Sequence, residues 1–217
     1  MKTIRAFLAV NLSLETARAI AEDQKTLKTS CESAGAEVKW VPPQNMHVTI
    51  RFLGQVTEPM IAALQDNLEA AAKATPPFSM EAAGLGAFPD PEKPKVLWAG
   101  ISSPDGNLQR LYDKVGEILE DTGFKTDDNP FRSHVTIGRV KTSPATVAPC
   151  LEDAGDREYG RTEVRDLVCY RSDLTHRGAD YHLLWKLPLK GRATTKDDGN
   201  ARNQGGSNSD AQGANDQ

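Results

Sequence analysis

The chain has 217 residues, 38% hydrophobic and 26% charged, which is enough apolar material for one compact domain or two closely packed lobes. Its formal net charge of −4 argues against a protein that grips long nucleic acid through phosphates, because that takes a basic excess; any such contact is expected to be local, one phosphate and one or two bases. No apolar run approaches the roughly 20 residues that span a bilayer, and Cys31, Cys150 and Cys169 form no CxxC pair, so neither a disulfide framework nor a zinc ribbon is indicated and a reducing cytoplasm is the expected compartment.

The opening TIRAFLAVNL alternates Ile4, Ala6 and Leu8 against Arg5, Phe7 and Ala9, a strand pattern, and the charges at Arg5, Glu15 and Arg18 argue against a signal peptide. A helix follows, with Ser13 as its N-cap, Leu14, Ala17, Ile20, Ala21 and Leu27 at helical spacing, and Gly35 as its stop. Next come a short strand at VKWV, the punctuation of Pro42 and Pro43, a strand from His47 to Gly54, and a helix from the Thr57 cap through Ile61, Leu64 and Leu68. Strands are expected at FSMEAAGLGAF and KVLWAGI, then a helix carrying Leu108, Leu111, Val115, Ile118 and Leu119, a strand from His134, and closing strands at VRDLVCYRSDL and YHLLWKLPL. Residues 191–217 contain no Val, Ile, Leu, Met or aromatic side chain and read as a disordered polar tail behind a folded body of residues 1–190. The fold class is α+β.

Two of the four histidines open the same tetrapeptide, His-Val-Thr-Ile, at His47 and at His134. Such a coincidence arises by accident about once in a thousand chains of average composition. Each copy follows strand and helix material of similar length, which suggests two related halves facing each other across a pseudo-twofold axis. On a strand, residues i and i+2 share a face, so His47 with Thr49, and His134 with Thr136, project together while Val48, Ile50, Val135 and Ile137 anchor the other side.

Two imidazoles and two hydroxyls around one point suit a phosphodiester. A neutral ring can take a proton from the attacking water while a protonated ring gives one to the leaving oxygen, and the reference value near ~6.5 allows one of each at neutral pH. The hydroxyls can hold non-bridging oxygens. No HExxH-type ligand set, GxSxG elbow or Walker A loop is present. His176 and His182 sit in the closing strands and their loop and read as ordinary surface residues.

The two HxT motifs, followed by RFLG after the first and by Gly-Arg after the second, resemble the 2H phosphoesterase superfamily, and within it the RNA 2′,3′-cyclic phosphodiesterases once called 2′-5′ RNA ligases. The resemblance runs through IRAFLAV, WVPPQNMHVTIRFLG, GLGAFPDPEKPKVLWAGI, FRSHVTIGRV and YRSDLTHRGADYHLLWKLPL. It implies a bilobal fold around a central cleft, no metal and no cofactor, and metal-independent hydrolysis of terminal 2′,3′-cyclic phosphates on RNA ends or nucleotides to a 2′-phosphate. It assigns His47 and His134 to catalysis, Thr49, Thr136 and Arg139 to the phosphate, and Phe52 to stacking on the terminal base. Arg139 and Phe52 each lie five residues after a motif histidine; a regular strand would put them on the opposite face, with Phe52 then in the core, unless the strand bends near Gly138 or Gly54 or ends there. Ser133 departs from the proline usual before the second motif. Arg177, in the loop before the last strand, could approach phosphate. A monomer is expected. The competing readings are a nucleotide- or RNA-binding module without turnover, and 2′-5′ RNA ligation as the reverse reaction.

Overall fold

A computed structural model describes residues 2–124, 130–142, 147–152, 157–175 and 179–192. The tail from residue 193 onward, His176 and Arg177 lie outside these.

In chain order the elements are β1 (Thr3–Asn11), α1 (Leu14–Ser33), β2 (Glu37–Trp40), a 3-10 turn (Pro43–Asn45), β3 (His47–Thr57), α2 (Glu58–Ala74), β4 (Phe78–Phe88), β5 (Val96–Ser102), α3 (Asn107–Asp121), β6 (His134–Thr142), α4 (Ala148–Glu152), β7 (Glu158–Val164), β8 (Asp166–Leu174) and β9 (Ala179–Pro188). Ser13 caps α1 as expected, its hydroxyl accepting from the Thr16 N–H at 3.1 Å. The closing strand expected over VRDLVCYRSDL is two strands: Val164 ends β7 and Asp166 begins β8. The sequence hides β7 because its alternation breaks at Gly160, where Ala82 and Ala83 of β4 pair with Gly160 and Glu158 and skip Tyr159.

Among the described residues the strands form one antiparallel sheet in the order β7-β4-β5-β6-β3-β1-β8-β9, with β2 added on β6. The two His strands, β3 and β6, are neighbours at the middle. Reading outward, each is followed by its helix-connected partner, β1 through α1 or β5 through α3, and then by two flanking strands. The expected two-fold relation is therefore present in the strand order, but the lobes are interleaved: β8 and β9, last in the chain, complete the lobe that β1 begins.

The main core lies between the sheet and the helices. It contains Val48, Ile50, Val135 and Ile137 from the His strands with Leu64 and Leu68 of α2 and Leu111 and Val115 of α3. A smaller apolar group on the opposite face, Phe7, Ala9 and Val168, lies against Tyr170 and Tyr181. Helix α1, which begins in one lobe, is fastened to β7 of the other. The Thr16 hydroxyl donates to the Arg161 carbonyl at 3.3 Å, and Asp23 accepts from Tyr159 at 2.9 Å and is paired with Arg157. Gly191, the first residue of the stretch read as a tail, is tied to the body: its N–H donates to the Thr75 carbonyl at 2.9 Å at the end of α2.

Candidate active site

The seam between the lobes rests on one antiparallel pair, Val48 with Val135. That register sets His47 opposite Thr136 and Thr49 opposite His134, with the two histidines on the diagonal, a Cβ separation of roughly 7–8 Å in a regular sheet. Val48, Ile50, Val135 and Ile137 are at most 2% exposed, each contributing about 1.5–3 kcal/mol of burial. They fix the strands so that the histidines and threonines face the cleft. A cavity of about 510 Å³ lies there, and His47, Thr49, Phe52, His134, Thr136 and Arg139 all line it. Every residue singled out from the sequence for a catalytic or binding role, Arg177 aside, thus lies on one surface.

The two rings are held in the same way. His47 Nδ1 lies 2.8 Å from the Asn45 carbonyl and His134 Nδ1 2.6 Å from the Arg132 carbonyl, each two residues upstream. A carbonyl only accepts, so Nδ1 carries the proton in both and Nε2 is left for chemistry. Ser133, where a proline was expected, secures the approach to the second motif: its hydroxyl donates to the Ile101 carbonyl at 2.6 Å and its carbonyl accepts from the Ile101 N–H at 3.2 Å.

Burial pushes His47 down to about 4, with the charges of Arg139 and His134 adding to it against the opposing pull of the Asn45 carbonyl. His134 is lowered too, first by burial and then by Arg139, with the Arg132 carbonyl opposing. Burial thus favours the neutral form of both rings in the free site, and an anionic ligand would favour the protonated form of one of them.

The odd offsets of Arg139 and Phe52 have a common explanation. On β6, Leu97 and Trp98 of β5 pair with Gly138 and Thr136, leaving Ile137 as an extra residue. On β3, Leu8 and Ala9 of β1 pair with Arg51 and Thr49, leaving Ile50 extra. One inserted residue reverses the alternation, so Arg139 and Phe52 return to the cleft side. The β6 bulge is braced: the Ile137 carbonyl accepts from the Val41 N–H at 2.9 Å and from Gln24 Nε2 at 2.7 Å. Gly138 is required beside it, because a Cβ there would come within 2.7 Å of Val38 Cγ1 and 3.2 Å of the Trp40 ring. Phe52 is 65% exposed at the cleft rim and is not a core residue.

Sequence reasoning missed the walls. His47 stacks on Phe7 at 4.8 Å and meets the Tyr181 edge at 5.2 Å, while His134 meets the edge of Phe88 at 5.0 Å. Phe7 was legible in part, being out of phase with the core residues of β1. Tyr181 and Phe88 carry no local signal, since they reach the cleft only through strand order. Among the described residues no three His, Cys, Asp or Glu side chains are grouped to hold a metal ion, and no helix is long and apolar enough to cross a membrane.

A single antiparallel sheet that brings two HxT strands together at its middle defines the two-histidine class of phosphoesterases. The chain belongs to the LigT-like phosphoesterase family, whose model matches residues 11–98 and 101–179. It is 37% identical over 164 residues to an RNA 2′,3′-cyclic phosphodiesterase of Aeropyrum pernix, covering 74% of this chain and 92% of the relative. It is 34% identical over 194 residues to one of Aquifex aeolicus, covering 88% and 100%. Among solved structures, a Thermus thermophilus protein superposes with a TM-score of 0.72 at 27% identity, over 88% of this chain and all of that one. Escherichia coli LigT complexed with ATP shares the fold at a TM-score of 0.64 and 21% identity, over 87% and 99%.

Proposed function

We propose that this protein hydrolyses terminal 2′,3′-cyclic phosphates on RNA ends or nucleotides, without a metal ion, leaving a 2′-phosphate. The relatives named RNA 2′,3′-cyclic phosphodiesterase support the reaction class. The observation that carries the mechanism is the matched pair of imidazoles, each donating Nδ1–H to a carbonyl two residues upstream and each keeping Nε2 for the cleft.

In-line hydrolysis needs a base on one side of phosphorus and an acid on the other. The aromatic lobe around Phe7, Phe52 and Tyr181 suits the nucleoside, which puts the leaving ribose oxygen on the His47 side. His134 then activates water, and His47 protonates O3′. Thr49, Thr136 and Arg139 hold the non-bridging oxygens as charge grows on them. The negative phosphate raises the affinity of both rings for a proton, offsetting the burial and the Arg139 charge that lower it in the empty site.

One observation favours the reverse assignment of the rings: burial lowers His47 strongly, so a proton shared by the pair in the empty site goes to His134. A phosphodiester with a p-nitrophenolate leaving group needs no acid and separates the two. If His47 is the acid, His47→Ala retains turnover of that ester and His134→Ala loses it; the opposite result exchanges the roles.

The reaction itself is tested by incubating the full chain with a 2′,3′-cyclic mononucleotide in excess EDTA and identifying the product by phosphorus NMR. A 2′-phosphate is expected. Absence of turnover, or turnover that returns only with added divalent metal, overturns the reading; a 3′-phosphate overturns the orientation of the sugar.

A further inference from the structure

A second cavity, of about 610 Å³, adjoins the first. It shares Thr49, Phe52, Phe88 and His134 with the first, and its remaining wall includes Arg51, Tyr112, Phe131 and Arg132. Its chemistry differs from that of the first cavity, since no second histidine reaches it and its wall holds stacked rings and guanidinium groups. Tyr112 and Phe131 lie 4.2 Å apart and within 15° of parallel. The Arg51 guanidinium lies over the Tyr112 ring, with Cζ 3.5 Å from the ring centroid, and Arg132 lies toward Phe88, 5.7 Å from its centroid.

The position of Arg51 is built into the fold at a cost. The β3 bulge that returns Phe52 to the cleft turns Arg51 toward α3, where its Nε is buried without a hydrogen-bond partner. Gly116 in the middle of α3 makes room for it, because a Cβ there would come within 2.4 Å of Arg51 Nη2. A mid-helix glycine costs about 1 kcal/mol relative to alanine. A cation held on an aromatic column, beside a second arginine, in a chain of net charge −4, points to an anionic ligand that also stacks.

We propose that this cavity binds the nucleotide that precedes the terminal one, so that the protein prefers a cyclic phosphate at the end of an oligonucleotide to a free cyclic nucleotide. The inference rests on the reading of the first cavity as the cyclic phosphate site. A 2′,3′-cyclic phosphate ends its chain, and the rest of the RNA leaves only through the terminal 5′ oxygen. With phosphorus between the histidines and the terminal base at Phe52, the second cavity is the adjoining space with an aromatic face for the next base, Phe131, and cations for the linking phosphodiester, Arg51 and Arg132. Stacking of one base on an aromatic side chain contributes about 1–3 kcal/mol, which corresponds to roughly 5- to 150-fold in kcat/KM.

The test compares kcat/KM of the full chain for a 2′,3′-cyclic mononucleotide and for a dinucleotide ending in the same cyclic nucleotide, in the parent and in Phe131→Ala. The dinucleotide is expected to be favoured by about tenfold or more, and Phe131→Ala to abolish that advantage while leaving mononucleotide turnover unchanged. Phe131→Tyr, which keeps the ring, is expected to keep the advantage. Equal rates for the two substrates in the parent overturn the second site while leaving the proposed reaction intact. So does an equal loss on both substrates in folded Phe131→Ala, which makes that ring structural only. Absence of turnover on both substrates overturns both readings.

Discussion

The two His strands carry the same tetrapeptide and the same bulge but end differently. Five residues after His47 stands Phe52; five after His134 stands Arg139. The first lobe surrounds its histidine with Phe7, Tyr170 and Tyr181, whereas the second offers Phe88 and a guanidinium close enough to depress both rings. A repeated scaffold has become an asymmetric site by changing what flanks the motif. The shared residues suit proton transfer, which needs two alike groups on opposite sides. The differing ones suit recognition, which needs an apolar surface for a base at one end and a positive charge for phosphate at the other.

The strongest way to break this comparison is to remove its common part. His47→Ala and His134→Ala are each expected to lower kcat by about 10²–10⁴ with the circular dichroism spectrum unchanged; near-parent activity in either folded variant ends the two-histidine mechanism. Next is the charged arm of the second lobe. Arg139→Gln is expected to lower kcat/KM by roughly 10- to 100-fold through lost charge-assisted hydrogen bonds. Because Arg139 lowers both histidines, its loss should also move the acid limb of the pH–rate profile to higher pH. An unmoved limb would separate Arg139 from the rings.

The aromatic arm should respond in a different parameter. Phe52→Ala is expected to raise KM about tenfold by removing a stacking surface, with kcat little changed. A fall in kcat alone would place Phe52 in positioning the reacting atoms. A further effect is on stability rather than on turnover. His47 takes up a proton near pH ~6.5 in the unfolded chain but only near 4 when folded, so the folded state loses stability as pH falls through that window and levels off below it. Melting temperatures of the unliganded protein measured from pH 7 to 4 should drop less in His47→Gln than in the parent. Parallel curves would mean that the ring is not desolvated.

The pairing of His47 with Thr49 and of His134 with Thr136 was readable because strand periodicity is local, and so were the three long helices, whose apolar residues recur every three to four positions. The bulge at Ile50 was not readable: an extra residue is defined by the partner strand, and nothing within HVTIRF announces it. For the same reason β7 merged with β8. Gly138 was a usable hint, as a glycine in a strand marks a kink or a close approach, and here Trp40 makes that approach. The walls built by Tyr181 and Phe88 depend on which strands become neighbours, and the lowered proton affinity of both histidines depends on how deeply the lobes bury them. Neither property exists at the level of a short segment.

The interleaved order of the strands has a consequence for synthesis. A chain released as far as Val164 already contains His47, Thr49, His134 and Thr136, together with β4, β5, β6 and β7 of the second lobe. It lacks β8 and β9, and with them the Tyr170 and Tyr181 rings against Phe7 and His47. With β1 as an unpaired edge, His47 would keep Phe7 on one side but lose the Tyr181 wall and stand more open to water. The cleft closes only when β8 and β9 leave the ribosome, so a chain that stops short of them carries every motif of the site and only part of its enclosure.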